Sequence, residues 1–187
     1  MVYRILLICG LLLVSCSTPT PAEPLPASGE AAIAPASQMI DRGNDFPTIG
    51  RPAPDFAYTL PDGSNTTLSA LRGRQVLINF WATWCEPCRA EMPDLQQIAD
   101  RYGDRVVVLG INKLEQPELF EAFAAEVGVR FLLIANPAGD IADRYGAKNI
   151  PYTVLINEEG TITALRLGIM NYEEIEQLLD STRQGAA

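Results

Sequence analysis

The chain has 187 residues, 48% of them hydrophobic, which is enough for one domain with a packed core. Its net charge of −9 argues against a nucleic-acid partner, and the lack of any histidine removes Ser–His–Asp and Cys–His nucleophile pairs and most catalytic zinc sites. Of the four cysteines, Cys9 lies inside an N-terminal apolar segment and Cys16 ends it. Cys85 and Cys88 are left as one pair, with no thiol remaining for a structural disulfide, so the pair is expected to be catalytic.

Met1–Val2–Tyr3–Arg4 carries one basic side chain and the amino terminus ahead of an almost wholly apolar run from Ile5 to Val14. That run is shorter than the roughly 20 residues of a bilayer-spanning helix and has the size and flanks of a secretory signal. Leu13–Val14–Ser15–Cys16 resembles the bacterial lipobox, in which small residues precede a cysteine that is lipidated and becomes the new N-terminus. On that resemblance residues 1–15 are a signal peptide and Cys16 bears a lipid, an ordinary signal peptide or an uncleaved anchor being the alternative. Ser17 to about Asp45 is rich in Pro, Ala, Ser and Thr and cannot bury enough surface to offset its ordering entropy. Residues 16–45 therefore read as a lipidated tether, semi-extended where prolines cluster.

From Phe46 the composition shifts, and residues 46–183 read as the folded domain, with 184–187 as a disordered tail. Ala57–Leu60 and Thr66–Leu68 flank a Pro61–Asp62–Gly63–Ser64 turn and predict a short hairpin. Val76–Trp81 is the continuous apolar run of a buried parallel strand. In the helix that follows, Met92, Leu95, Ile98, Ala99 and Tyr102 share a face, and Pro93 is expected to kink it. Arg105–Asn112 predicts a second buried strand. Pro117 opens a helix with Leu119, Phe120, Phe123 and Val127 on one face and Glu115, Glu118 and Glu121 near its positive end. A strand at Phe131–Ile134, a short helix at Asp140–Tyr145, and strands at Val154–Asn157 and Thr161–Arg166 come next. A last helix, capped by Asn171, turns Ile175, Leu178 and Leu179 inward. Strands alternating with helices make an α/β sandwich finished by a hairpin and a helix.

The chemistry lies in Trp84–Cys85–Glu86–Pro87–Cys88, where the Val76–Trp81 strand gives way to a helix. Two cysteines three apart can close a small, exposed disulfide there, and Cys85 faces a helix N-terminus worth roughly half a positive charge, which favours its thiolate. Pro87 suits the first turn, where a missing N–H costs little. Cys85 is thus read as the attacking thiolate and Cys88, in the turn that packs inward, as the resolving thiol. The pair could instead be half of a zinc site, but zinc needs four ligands and the chain offers no second pair and no histidine. No metal and no cofactor beyond the Cys85–Cys88 couple is expected. Trp81 is expected to face the core and Trp84 to form a flat apolar patch beside the thiols, while Arg89 and Glu91 read as solvated helix residues.

The stretch FWATWCEPCRAEMP resembles the thioredoxin superfamily, and its WCEPC resembles the membrane-associated TlpA/ResA branch; the resemblance spans roughly Phe46 to Arg183. It implies a thioredoxin-like fold, a central mixed sheet flanked by helices, with the N-terminal hairpin that this branch and peroxiredoxins add. It also implies that Ile150–Pro151 is the cis-proline that lies across from the CxxC pair and leaves the preceding backbone open to an extended substrate. Asn79 departs from the pattern, since cytosolic members place a buried aspartate there as proton acceptor for the resolving thiol, a role an amide cannot fill. Glu86, between the two cysteines, is the nearest titratable substitute.

The resulting expectation is a membrane-tethered, extracytoplasmic protein-disulfide oxidoreductase, a monomer on the outer face of the bacterial cytoplasmic membrane or in the periplasm. Similarity to ResA-like proteins implies reduction of disulfides in translocated proteins such as apocytochrome c, with electrons from a membrane thiol donor. Chain features alone leave room for a disulfide oxidase or isomerase. A thiol peroxidase would require a proline at a set distance before the reactive cysteine, and none lies just ahead of Thr83 and Cys85. A copper-handling assembly factor could hold Cu(I) with the two thiolates, without a nearby histidine or Met-rich segment to help.

Overall fold

The computed structural model describes residues 46–184 and the backbone of Ile33–Ser37. The stretch read as a signal peptide, Cys9, Cys16, most of the stretch read as a tether and residues 185–187 lie outside the described residues. The strands are β1 (Ile33–Ser37), β2 (Ala57–Thr59), β3 (Asn65–Thr67), β4 (Gln75–Trp81), β5 (Val106–Lys113), β6 (Leu132–Asn136), β7 (Tyr152–Ile156) and β8 (Ile162–Leu167). They form one sheet in the order β3-β2-β1-β6-β5-β4-β7-β8. The helices are α1 (Glu86–Tyr102), α2 (Pro117–Val127), α3 (Asp140–Arg144) and α4 (Tyr172–Gln184).

At the centre, β4 pairs in parallel with β5 and antiparallel with β7, and every one of its residues is buried. Successive side chains leave a strand on opposite faces. Leu77 and Trp81 enter one core with Cys88, Met92 and Leu95 of α1, Phe120 and Phe123 of α2 and Ile175 and Leu179 of α4. Val76, Ile78 and Phe80 enter the other core, with Phe56 and Tyr58 of the hairpin side and Ile141 and Tyr145 around α3. A continuous apolar run is what a strand covered on both faces requires, so β4 was legible as buried.

Gly110 explains how Trp81 fits. A Cβ there would come within 2.5 Å of Leu133 Cδ2 and 3.2 Å of Trp81 Nε1. Without it, Trp81 stacks on Phe123 at 5.1 Å between ring centroids and meets Phe120 edge-on at 5.8 Å.

Two expectations change. Ile33–Ser37, inside the stretch read as tether, forms β1, parallel to β6 and antiparallel to β2. The pairing is made by main chain, and IAPAS carries no alternation to announce it; Pro35 also lacks a donor. Gln184, read as the first residue of the tail, is the last residue of α4. α1 runs unbroken through Pro93. Asn171 caps α4 as expected: its Oδ1 accepts from Glu174 N–H at 2.9 Å and Glu174 Oε2 accepts from Asn171 N–H at 2.9 Å, a reciprocal capping box.

Candidate active site

The site is built where β4 ends. Ala82–Trp84 leaves the strand, Cys85 N-caps α1, and the Cys85 sulfur accepts from the Cys88 N–H at 3.3 Å while bonded to the Cys88 sulfur. The expected disulfide is present but is not the exposed one the sequence suggested. Cys85 is 5% exposed and Cys88 fully buried, since both belong to the core cluster beneath α1. What is open around the disulfide is Trp84, 68% exposed, with Glu86 and Pro87 in the first turn also exposed. Trp81 lies in the core and Trp84 on the surface, as the sequence reading held.

Phe80 of β4 pairs with Tyr152 of β7, so Pro151, one residue earlier in the antiparallel strand, comes opposite Trp81 at the end from which the cysteine loop departs. The Ile150–Pro151 peptide is cis, as expected. Pro151 is buried, and its carbonyl accepts from Gly168 N–H at 2.9 Å. Ile150 is half-buried and precedes the paired strand.

Glu91 is the main correction. Read as a solvated helix residue, it is 1% exposed. Cys88, Glu91, Leu95 and Ile98 follow one another at three- and four-residue steps, which places Glu91 on the inner face of α1. Its Oε1 accepts from Asn79 Nδ2 at 2.5 Å and its Oε2 from the Met170 N–H at 3.1 Å. Burial pushes its carboxyl up to about 7, against the lowering effect of those two hydrogen bonds and with a further push from Asp94. A carboxyl that exchanges its proton near neutrality, one helical turn from the resolving thiol, has the properties assigned to Glu86, which stands exposed at the helix start. The signal was available in sequence as a carboxylate on an otherwise apolar stripe.

Glu115 was also missed as a site residue. Instead of lying free at the N-terminal end of α2 it is buried, accepting from Thr83 N–H at 2.8 Å, Thr83 Oγ1 at 2.5 Å and Asn112 Nδ2 at 2.6 Å. It pins the loop carrying Trp84 and Cys85 to the end of β5. Leu114, just before it, adopts φ 67° so that Glu115 can reach back.

The sequence profile of the AhpC/TSA family matches residues 49–165, from the entry to the domain through most of β8. The chain belongs to the AhpC/TSA family. Thioredoxin-like protein YneN of Bacillus subtilis (strain 168) is 37% identical over 134 residues, covering 70% of this chain and 78% of YneN. Thiol-disulfide oxidoreductase ResA of Geobacillus thermodenitrificans (strain NG80-2) is 33% identical over 136 residues, covering 72% of this chain and 78% of ResA. The pneumococcal exposed lipoprotein thioredoxin of Streptococcus pneumoniae strain TIGR4 superposes with a TM-score of 0.60 at 32% identity, over 68% of this chain and 98% of that one. This AhpC/TSA protein has the thioredoxin-like fold and is a thiol-disulfide oxidoreductase of the ResA type, acting on disulfide-bearing substrates.

Proposed function

We propose that the protein reduces disulfides in translocated proteins, apocytochrome c being the substrate that the ResA likeness favours, while held by a lipid at Cys16 on the outer face of the cytoplasmic membrane. Electrons come from a membrane thiol donor. The observation carrying the reading is the Cys85–Cys88 couple at the N-terminus of α1, beside the cis-proline Pro151 and above a buried carboxylate. Trp84, Pro87 and the backbone at Ile150 offer the surface against which an extended substrate docks. Among the described residues no helix is long and apolar enough to cross a membrane.

In the forward direction the Cys85 thiolate attacks one substrate sulfur, the substrate S–S bond breaks, and the released substrate thiolate takes a proton from water. Cys88 then gives its proton to Glu91, and its thiolate attacks the Cys85 sulfur of the mixed disulfide. The second substrate thiolate leaves, the substrate has gained two electrons, and the Cys85–Cys88 disulfide has formed. Glu86 acts at longer range, its carboxylate opposing the pull of the helix dipole on the Cys85 thiolate.

Two measurements test the reading. Cys88→Ser should accumulate mixed disulfides with substrate, whereas Cys85→Ser should trap none; equal trapping by both would reverse the roles. Redox equilibration of the couple should give a potential near about −270 mV or below, and a value near about −120 mV would make the protein an oxidant instead.

A further inference from the structure

Four atoms around Asn79 pose a hydrogen-bonding problem. Asn79 Nδ2 donates to Glu91 Oε1 at 2.5 Å and to Thr153 Oγ1 at 3.1 Å. Asn79 Oδ1 is buried and has no partner among the described residues, although the residue is fully enclosed. A buried acceptor left empty is uncommon and costs desolvation. Glu91 Oε2, meanwhile, faces the backbone N–H of Met170.

This arrangement suits an ionised Glu91. A neutral Glu91 carries an O–H, and its location is dictated by Met170. A backbone N–H can only donate, so the proton cannot lie between it and Oε2; Oε1 is the oxygen whose side-chain neighbour can turn an acceptor toward it, and an O–H there points at Asn79. With the amide as it stands, two donors would then oppose each other 2.5 Å apart.

We propose that the Asn79 side-chain amide turns over by half a rotation each time Glu91 gains or loses its proton. Turned over, Oδ1 accepts from the Glu91 O–H, and the Thr153 hydroxyl, which can donate as readily as accept, swings its hydrogen toward Oδ1. Nδ2 then takes the partnerless edge in place of Oδ1, so either orientation leaves one end of the amide unpaired and the Glu91 proton decides between them. Asparagine and threonine are the residue types this requires. Aspartate would offer ionised Glu91 no donor and set two carboxylates at hydrogen-bond distance, and leucine could satisfy neither form. Asn79 is thus a positioning residue that stabilises both protonation states of the carboxyl without contacting substrate. Acting on Glu91 are Asn79 of β4, the Met170 N–H and Asp94 of α1, with Thr153 of β7 bonded to Asn79, Glu173 of α4 acting on Asp94 and Cys88 three residues earlier on α1.

The functional weight of this device rests on Glu91 being the proton acceptor for Cys88, but its test does not. In the full-length oxidised protein neither cysteine titrates. Asn79 ¹³Cγ and Glu91 ¹³Cδ should titrate together with one midpoint, the Asn79 carbon gaining its O–H donor on the acid side. Neutron diffraction of deuterated crystals on either side of that midpoint should find ND₂ facing Glu91 at high pH and oxygen at low pH. Glu91→Gln supplies a second arm. Its oxygen must take the Met170 N–H, so its NH₂ faces Asn79, and the Asn79 signals should stay at the wild-type acid values at every pH. An Asn79 carbon unmoved through the Glu91 midpoint, one amide orientation at both pH values, or Glu91→Gln retaining the alkaline signals would each overturn the proposal. Should Glu91→Gln fail to fold, the wild-type titration decides alone. Should the amide turn over while Glu91→Gln leaves catalysis unchanged, the amide device stands and the proton relay falls.

Discussion

Burial raises the Glu91 carboxyl from 4.5 to about 7, so the folded protein holds this proton more tightly than the unfolded chain does. Below about pH 4.5 both states are protonated and the residue contributes no penalty. Between there and about 7 the unfolded chain releases its proton while the folded one keeps it, so stability falls as pH rises. Above that both are ionised and the cost is constant, at most about 3 kcal/mol. Urea denaturation of the oxidised protein across that window should show wild type losing stability relative to Glu91→Gln, with no further divergence at higher pH. Parallel curves would mean that Glu91 is solvated in both states. The same variant should slow the resolving step near neutral pH by about a hundredfold, the scale of general acid–base catalysis, as read from release of the second substrate thiol. Glu86→Gln, run beside it, should favour the Cys85 thiolate and make the couple more oxidising while leaving resolution at its normal speed.

At the scale of elements, β5 and β4 are matched through one missing side chain. Gly110→Ala puts a methyl against Leu133 and the Trp81 indole, neither of which can retreat from a filled core. Overpacking of this kind should cost about 1–3 kcal/mol, seen as a lower denaturation midpoint with an unchanged slope; an unaltered midpoint would mean that the Trp81–Phe123 stack yields freely. The elements were mostly legible because their periods are strong. β4 and β5 are predominantly apolar runs, α4 carries its cap at Asn171, and Pro117 opens α2. β1 was not legible, because IAPAS owes its conformation to β6 and β2 on either side rather than to any pattern of its own. Gly110 was equally silent: a glycine inside a strand signals close approach without naming what approaches.

For the molecule as a whole, the reactive pair and its proline could be read early, Cys85 and Cys88 from residue type and spacing and Pro151 from the thioredoxin resemblance. Glu115 and Asn112 could not, since what matters about them is enclosure and partner, and Glu91 showed only as a carboxylate on an apolar helical stripe, where a glutamate is usually solvated. The lipid is a question for the other end of the chain. Intact-mass analysis should find wild-type protein beginning at Cys16 with lipid-derived mass, and Cys16→Ser should leave unprocessed precursor or an unlipidated terminus. A mature wild-type protein that starts at another, unmodified residue would remove the anchor. The placing of the two tryptophans has a consequence of its own. Trp81 is sealed among Phe120 and Phe123, while Trp84 stands in solvent immediately before Cys85. A disulfide quenches a neighbouring excited indole by accepting an electron, and a dithiol does so far less. Reduction should therefore brighten the long-wavelength, solvent-exposed component of the emission and leave the buried, blue component alone. Trp84→Phe should abolish the change. The chain would then carry its own optical redox gauge, readable in a stopped-flow cuvette during turnover with no dye attached.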